Sequence, residues 1–330
     1  MKPPENIVLF SPGLRDNTAI WGEKIAVISE RKYLQREFPR AQIHAFDIDD
    51  LDRIAAMRVD LLISYYTGHR PPWRCDDIAK HVEGVTILKV GNHGDLIDEF
   101  ARVPVDGYMT NSVRAAEVLG HSRPTAYIPL AVDDEMGPVA PVAHYRSDVV
   151  YLGSGGRGNK RAETTRHFLD PAKRFDFAIW GAYWDREYWA DVYRSDPQAN
   201  DFHRFYRGRL PLGDIARLYS SVKIVLNYHE DSQSKWGMWN NRVFEALACG
   251  SLLITDNPVG LASEFEGGVV ITEGGEQTAK LIRHYLASTQ ERRRISEIGR
   301  DRVQKRYRYS QWARAVRQFY ERLAAIRFCK

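Results

Sequence analysis

The chain has 330 residues, 44% hydrophobic and 27% charged, with a formal net charge of +4, which excludes disordered and collagen-like classes and leaves room for two cores. No apolar run approaches the roughly 18 residues of a membrane span, and MKPPENIVLF lacks a basic-then-apolar leader, which predicts a cytoplasmic protein. Cys75, Cys249 and Cys329 are scattered and form no C-x-x-C pair, so neither a disulfide framework nor a zinc site is expected.

NIVLF (6–10) predicts a first strand that ends in the turn-rich SPGLRDN, where Gly13 would let the backbone approach a ligand. A helix over about 21–37 follows, then AQIHAFD as strand, DLDRIAAM as helix and VDLLISYY as strand. DIDD (47–50) contains a D-x-D and reads as a helix N-cap region. Next come a helix near 75–82, the strands VTILKVGN and VDGYMT, the helix SVRAAEVLG ending at Gly120, and the strand TAYIPL. This alternation argues for a mostly parallel sheet with helices on both faces.

AVDDEMGPVAPVAHYRSD (131–148) has the composition of a linker. The alternation then restarts with DVVYLGS as strand, a helix around 160–169 and RFDFAIWG as strand. LGDIARLYSS reads as helix, VKIVLNY as strand, then a polar loop containing Lys235, the helix NRVFEALACG ended by Gly250, and the strand SLLITD. GVVITE is a further strand and EQTAKLIRHYLAS a helix. In the final helix Ser310 is the expected N-cap, and Trp312, Val316, Phe319, Leu323 and Ile326 form one apolar stripe. Residues 291–330 carry 13 Lys/Arg against 4 Asp/Glu. Such a surface suits an anionic membrane, nucleic acid or an acidic ligand, or is simply a solvated basic helix face. Nucleic acid is disfavoured, because Trp312 and Phe319 lie on the apolar stripe rather than between the cations.

DVVYLGSGGRGNKR (148–161) places Gly153, Gly155 and Gly158 as G-x-G-x-x-G. A dinucleotide site would need an acid about 20 residues on, at the carboxyl end of the next strand, but Trp180 and Gly181 stand there. The P-loop pattern also fails, with Asn159 before Lys160 and no Ser or Thr after it. What remains is a glycine loop entering a helix, with Arg157, Lys160 and Arg161 supplying charge: a diphosphate site, or a basic surface turn.

NRVFEALACGSLLITD resembles the donor-site helix of group 1 glycosyltransferases of GT-B architecture, and within them the spore-maturation CgeB-like branch. VVYLGSGGRGNKR, FAIWGAYW and FYRGRLPLGDIARLYSSVKIVLN are similar, in order, to the phosphate loop, the next strand and the segment seating the nucleobase. The resemblance covers roughly 103–320. It implies two Rossmann-like domains facing across a cleft: 1–140 for the acceptor and 144–305 for the donor, with 306–330 a helix crossing back to the first domain. The implied substrate is a nucleotide-diphosphate sugar, UDP- or GDP-linked, with no cofactor and no metal. The acceptor is a glycan, protein or small molecule; the basic tail, apart from the resemblance, leaves a nucleic acid acceptor and peripheral membrane contact as further readings.

By the same resemblance Glu245 accepts from the ribose hydroxyls, since a carboxylate can take two hydrogen bonds at once. Gly155, Gly156, Arg157, Lys160, Arg161 and Arg242 hold the diphosphate as it leaves. Arg209 and Leu210 offer backbone groups to the base. Lys235, Asn240, Asn241 and Gly13 face the sugar. Many group 1 enzymes carry a Glu eight positions before the ribose Glu; here that position is Gly237, so the sugar contacts come from elsewhere. A base for the acceptor would come from KVGNHGD (89–95), where His93 and Asp95 follow a strand's carboxyl end; His69 in YYTGHR is similarly placed. The alternatives are a non-catalytic nucleotide-sugar or glycan binder on the same fold, and an oxidoreductase built on the glycine loop.

Overall fold

The computed structural model describes residues 3–11, 14, 22–65, 78, 82–91, 94–155, 159–185 and 202–328, without the side chains of 22–24 and 159–162. Of the expected helix near 75–82 only Ile78 and Val82 are described, both buried in the core, and Gly13, His69, His93, Gly156 and Arg157 lie outside the described residues.

Two parallel sheets organise the chain. The first contains β1 (Asn6–Phe10), β2 (Gln42–Phe46), β3 (Leu61–Tyr65), β4 (Val85–Val90), β5 (Gly107–Thr110) and β6 (Thr125–Tyr127), in the order β2-β1-β3-β4-β5-β6. The second contains β7 (Ser147–Leu152), β8 (Phe177–Trp180), β9 (Val222–Asn227), β10 (Leu252–Thr255) and β11 (Val270–Ile271), in the order β11-β10-β9-β7-β8. Strands such as LLISY, VTILKV and VKIVLN are near-continuous apolar runs because helices cover both faces of a parallel sheet. The order reverses between β1 and β3 in one sheet and between β7 and β9 in the other, and in such sheets a crevice opens beyond the carboxyl ends of the strands at that point.

Helices fill the connections: α1 (Gly22–Glu37), α2 (Leu51–Ala55), α3 (Ile97–Phe100), α4 (Val113–Gly120), α5 (Asn159–Leu169) and α6 (Ile215–Ser220). Then come α7 (Asp231–Trp236), α8 (Asn241–Ala248), α9 (Leu261–Glu264), α10 (Gly275–Ala287), α11 (Thr289–Arg306) and α12 (Tyr309–Phe328). Asp47 caps its short helix as expected, accepting from the Ile48 N–H at 2.6 Å while Asp50 bonds back to its backbone. Ser112 caps α4 through the Ala115 N–H at 3.0 Å.

The crossing between the two halves is abrupt. Tyr307 packs in the core of the second sheet, whereas Tyr309, Trp312, Val316, Phe319, Tyr320 and Leu323 pack with α1 and β1–β3 of the first. Three expectations change here. α12 begins at Tyr309, so Ser310 lies inside the helix, and its N–H is taken by Asp134 of the linker at 3.1 Å. Ile326 is 44% exposed, because the apolar stripe leaves the sheet after Leu323. Residues 131–136 are not a loose connection: Tyr309 donates to the Val132 carbonyl at 3.0 Å, and Arg308 to the carbonyls of Asp133 and Met136 at 2.9 Å each.

Candidate functional site

The carboxyl edge of β9 and β10 carries a dense polar network. Parallel pairing sets Asn227 beside Thr255, and the Asn227 amide donates to the Thr255 hydroxyl at 3.0 Å. The Asn227 carbonyl oxygen accepts from the Arg242 guanidinium and from Asn240 Nδ2, the latter at 3.0 Å. Arg242 also lies over the Tyr151 ring, 4.8 Å from its centroid. With the Tyr228 carbonyl 3.5 Å away as well, the guanidinium is held on three sides, at the first turn of α8 and next to the β7 loop.

Asp256 anchors the other side of the network. It accepts from the His229 N–H at 3.0 Å, from His229 Nδ1 at 2.7 Å, from Thr255 Oγ1 at 3.0 Å and from Ser234 Oγ at 3.2 Å. Burial works against this carboxylate, but the His229 bonds prevail and hold its pKa below the ordinary value. Among the described residues buried His229 Nε2 finds no hydrogen-bond partner, nor do Asn240 Oδ1, Trp236 Nε1 or either amide atom of Asn111. Asn227, Tyr228, His229, Thr255 and Asp256 all escaped the sequence analysis, because strand register, not local spacing, brings them together.

Glu245 lies one turn beyond Arg242 and is 6% exposed. Burial pushes its carboxyl up to about 7, against the pull of Arg242. No hydrogen bond from a described residue reaches its carboxylate, and no ion pair within 4.0 Å joins it to Arg242, which turns instead toward Asn227 and Tyr228. The helix around it is core: Val243, Phe244, Leu247 and Ala248 are buried, each large side chain worth about 1.5–3 kcal/mol. Cys249 beneath it is buried too, its thiol pushed to about 12 by desolvation.

The glycine loop after β7 is used partly for packing. A Cβ on Gly153 would come within 2.7 Å of the Tyr151 hydroxyl and 3.0 Å of Arg242, so this glycine makes room for the guanidinium. The Gly155 N–H already donates to Ala182 at 2.9 Å, which removes it as a free phosphate donor. Lys160 and Arg161 belong to the first turn of α5. Leu210 is core, at 2% exposure, while Arg209 is exposed. Asn241 opens α8.

Lys235 is not in a loop. It sits in the last turn of α7, which is closed at one end by the Glu230–Gln233 capping box and at the other by Gly237 in the left-handed conformation. A Cβ at Gly237 would approach the Val259 carbonyl to 2.8 Å, so glutamate is unsuited to this position. α7 docks on the first half. Ser112 donates to the Trp236 carbonyl, Arg114 donates to the Lys235 carbonyl at 3.2 Å and stacks on Trp236, and Lys235 Nζ stands 3.8 Å from Asp95. The Trp236 ring lies so close to Gly94 that a Cβ there would overlap it. Asp95 is 60% exposed. Among the described residues no group of three or more His, Cys, Asp or Glu could hold a metal, and no helix is long and apolar enough to cross a membrane.

Two doubly wound parallel sheets with their carboxyl edges meeting across such a seam define the GT-B architecture of glycosyltransferases. A family model described as glycosyl transferase-like matches residues 160–318. Among solved structures, sucrose-phosphate synthase from Thermosynechococcus elongatus aligns with a TM-score of 0.73 at 16% identity, covering 98% of this chain and 100% of that one. Anabaena HepE in complex with UDP-glucose aligns at 0.69 and 11% identity, covering 97% and 99%. The DNA-modifying β-glucosyltransferase, solved with and without uridine diphosphoglucose, aligns at 0.63 and 12%, covering 96% and 99%. At these identities the likeness shows the fold. No curated protein sequence matches the chain.

Proposed function

We propose that the chain is a glycosyltransferase, of the group 1 type and its CgeB-like branch, acting from a nucleoside-diphosphate sugar on a hydroxyl-bearing acceptor. The observation that carries this is the pairing of Arg242, pinned beside the β7 loop, with Glu245, a buried carboxylate without a hydrogen-bond donor among the described residues. The two stand one turn apart at the switch point of the second sheet. A diphosphate and the ribose attached to it are neighbouring groups that need a cation and a two-fold acceptor. Ribose hydroxyls donating to Glu245 would favour its ionised form and offset the desolvation that raises its pKa.

In the reaction the bond from the anomeric carbon to the diphosphate oxygen breaks, and a bond to the acceptor oxygen forms. The electron pair leaves on the diphosphate. Arg157, Lys160, Arg161, Arg242 and the amino end of α5 stabilise that charge as it develops, in place of a metal. The acceptor's proton passes to a base of the first half, for which His93 and Asp95 are the candidates. Nucleotides linked to uridine are the first donors to test, because two of the similar folds were solved with UDP-glucose.

The test is titration of UDP-glucose and a panel of other UDP- and GDP-sugars, followed by release of free sugar without acceptor. One donor should bind wild type, lose affinity in Glu245→Ala, and be hydrolysed slowly and equally with EDTA present. A wild type that binds none of them, or an alanine variant that binds as well, refutes the reading. Binding without any hydrolysis or transfer would favour the non-catalytic binder, which Gly237 recommends: its left-handed backbone excludes the carboxylate many group 1 enzymes carry there.

A further inference from the structure

A cavity of about 540 Å³ lies at the opposite end of the second sheet, walled by α11 and by the segments that lead into β9 and β10. Val222 and Lys223 begin β9, whereas the polar network sits at Asn227 and beyond. Five residues of strand, roughly 16 Å, separate the two places. The cavity is thus no extension of the cleft.

Its lining is basic: Lys223, Arg292, Arg293 and Arg300 against a single carboxylate, Glu297. Two of these cations have structural duties. Lys223 pairs with Asp148 at 2.6 Å. Arg292 donates to the carbonyls of Tyr285 at 2.5 Å and Leu286 at 3.5 Å, closing the end of α10. Burial, and then the charge of Arg293 beside it, hold its pKa below the ordinary value. Arg293, exposed at the rim, and Arg300, half-buried, have no such duty: among the described residues neither makes a hydrogen bond, nor an ion pair within 4.0 Å. Glu297 lies between them on the helix and pairs with neither.

Positions 293, 297 and 300 follow one another at i, i+4 and i+7, so they share a face of α11. The two arginines stand two turns apart, about 10 Å along the axis, which is the span of several linked phosphates rather than of one. Buried Ser296, which donates to the Arg292 carbonyl at 2.9 Å, closes the wall between them. Unpaired guanidinium groups lining a cavity, one at its exposed rim and crowded against a third that is already committed, are relieved by an anion that bonds two of them in fork geometry.

We propose that this cavity is a second ligand site, for a compound carrying two or more phosphate groups, held by Arg293 and Arg300 and supported by Arg292 and Lys223. The phosphates belong either to a soluble metabolite or to a phosphorylated lipid headgroup. Sodium tripolyphosphate is the probe for the first source. Sedimentation with phosphatidylcholine vesicles, with and without a bisphosphorylated phosphoinositide, is the probe for the second.

Binding should be equal in wild type and in Lys160→Ala/Arg161→Ala, which disables the cleft's anion site. It should fall about tenfold or more in Arg293→Ala/Arg300→Ala, the loss of at least one charge-assisted hydrogen bond. It should tighten several-fold in Glu297→Gln as the opposing charge goes. That pattern with tripolyphosphate assigns a soluble ligand; the same pattern only on phosphoinositide vesicles assigns a headgroup. No binding in either arm, binding indifferent to Arg293 and Arg300, or binding lost in the cleft variant overturns the site. Since none of these variants touches Glu245, failure here leaves the proposed transferase activity standing.

Discussion

Where β9 and β10 end, polar side chains hold one another: Asn227 to Thr255, Thr255 to Asp256, Asp256 to His229, and Asn227 again to Arg242 and Asn240. Where β3 and β4 end, the polar groups turn inward, with Lys89 and the Tyr65 hydroxyl both bonded to buried Glu30 of α1. The first half reaches the seam through Gly94, Asp95, Ser112 and Arg114, and each of these meets α7. One half is therefore a prebuilt polar site, and the other is positioned against it by a short helix. Binding of a donor and alignment of an acceptor should then be separable by mutation.

Four substitutions would break or sharpen that contrast. Arg242→Ala removes a fixed cation from the site itself and should lower turnover by about 10²–10³-fold, measured as transfer or donor hydrolysis at saturating donor. Gly94→Ala should act from the other side: its methyl must displace Trp236, at a cost of about 1–3 kcal/mol, so transfer falls while the donor Kd stays near wild type. Equal losses in donor affinity and transfer would break the division between the halves.

Glu245→Gln sharpens it through pH. In the unfolded chain this carboxyl titrates near 4.5 and in the folded free protein at about 7. Between those values the unfolded state releases a proton that the folded state keeps. The free protein accordingly loses stability as pH rises from about 4.5 to 7 and no further above, and the glutamine variant should lack that component in thermal melts. Donor affinity runs the other way, rising through pH 7 as the carboxylate forms and flattening in the variant. Asp256→Asn should have the smallest effect, about 1 kcal/mol in donor binding, because it loosens Ser234 and His229 without touching the ligand.

Much of the fold was legible. Buried strands such as VTILKV and VKIVLN announce themselves by unbroken apolar runs, and both sheets follow from strand-helix alternation. Arg242 and Glu245 were placed on a helix by the pattern of NRVFEALACG and given roles by resemblance, and the structure puts them on α8. α7 was missed because DSQSKW shows no helical apolar period in six residues; its real signals were Glu230, Gln233 and Gly237 at cap spacing. The Asp256–His229 contact was illegible in principle, being fixed only when β9 and β10 pair in register. Ser310 misled because a good capping residue says nothing of a distant aspartate waiting for its amide.

The crossing of α12 also constrains the order of biosynthesis. Trp312, Val316, Phe319 and Leu323 complete the core that begins at Ile7 and Leu9. A ribosome that has finished β1 through β6 has therefore made a sheet with one greasy side covered only in part, by α1. The half translated second can close its own core through Val303 and Tyr307 before the half translated first receives its cover. Nascent chains stalled ahead of residue 309 should be the ones that chaperones hold longest.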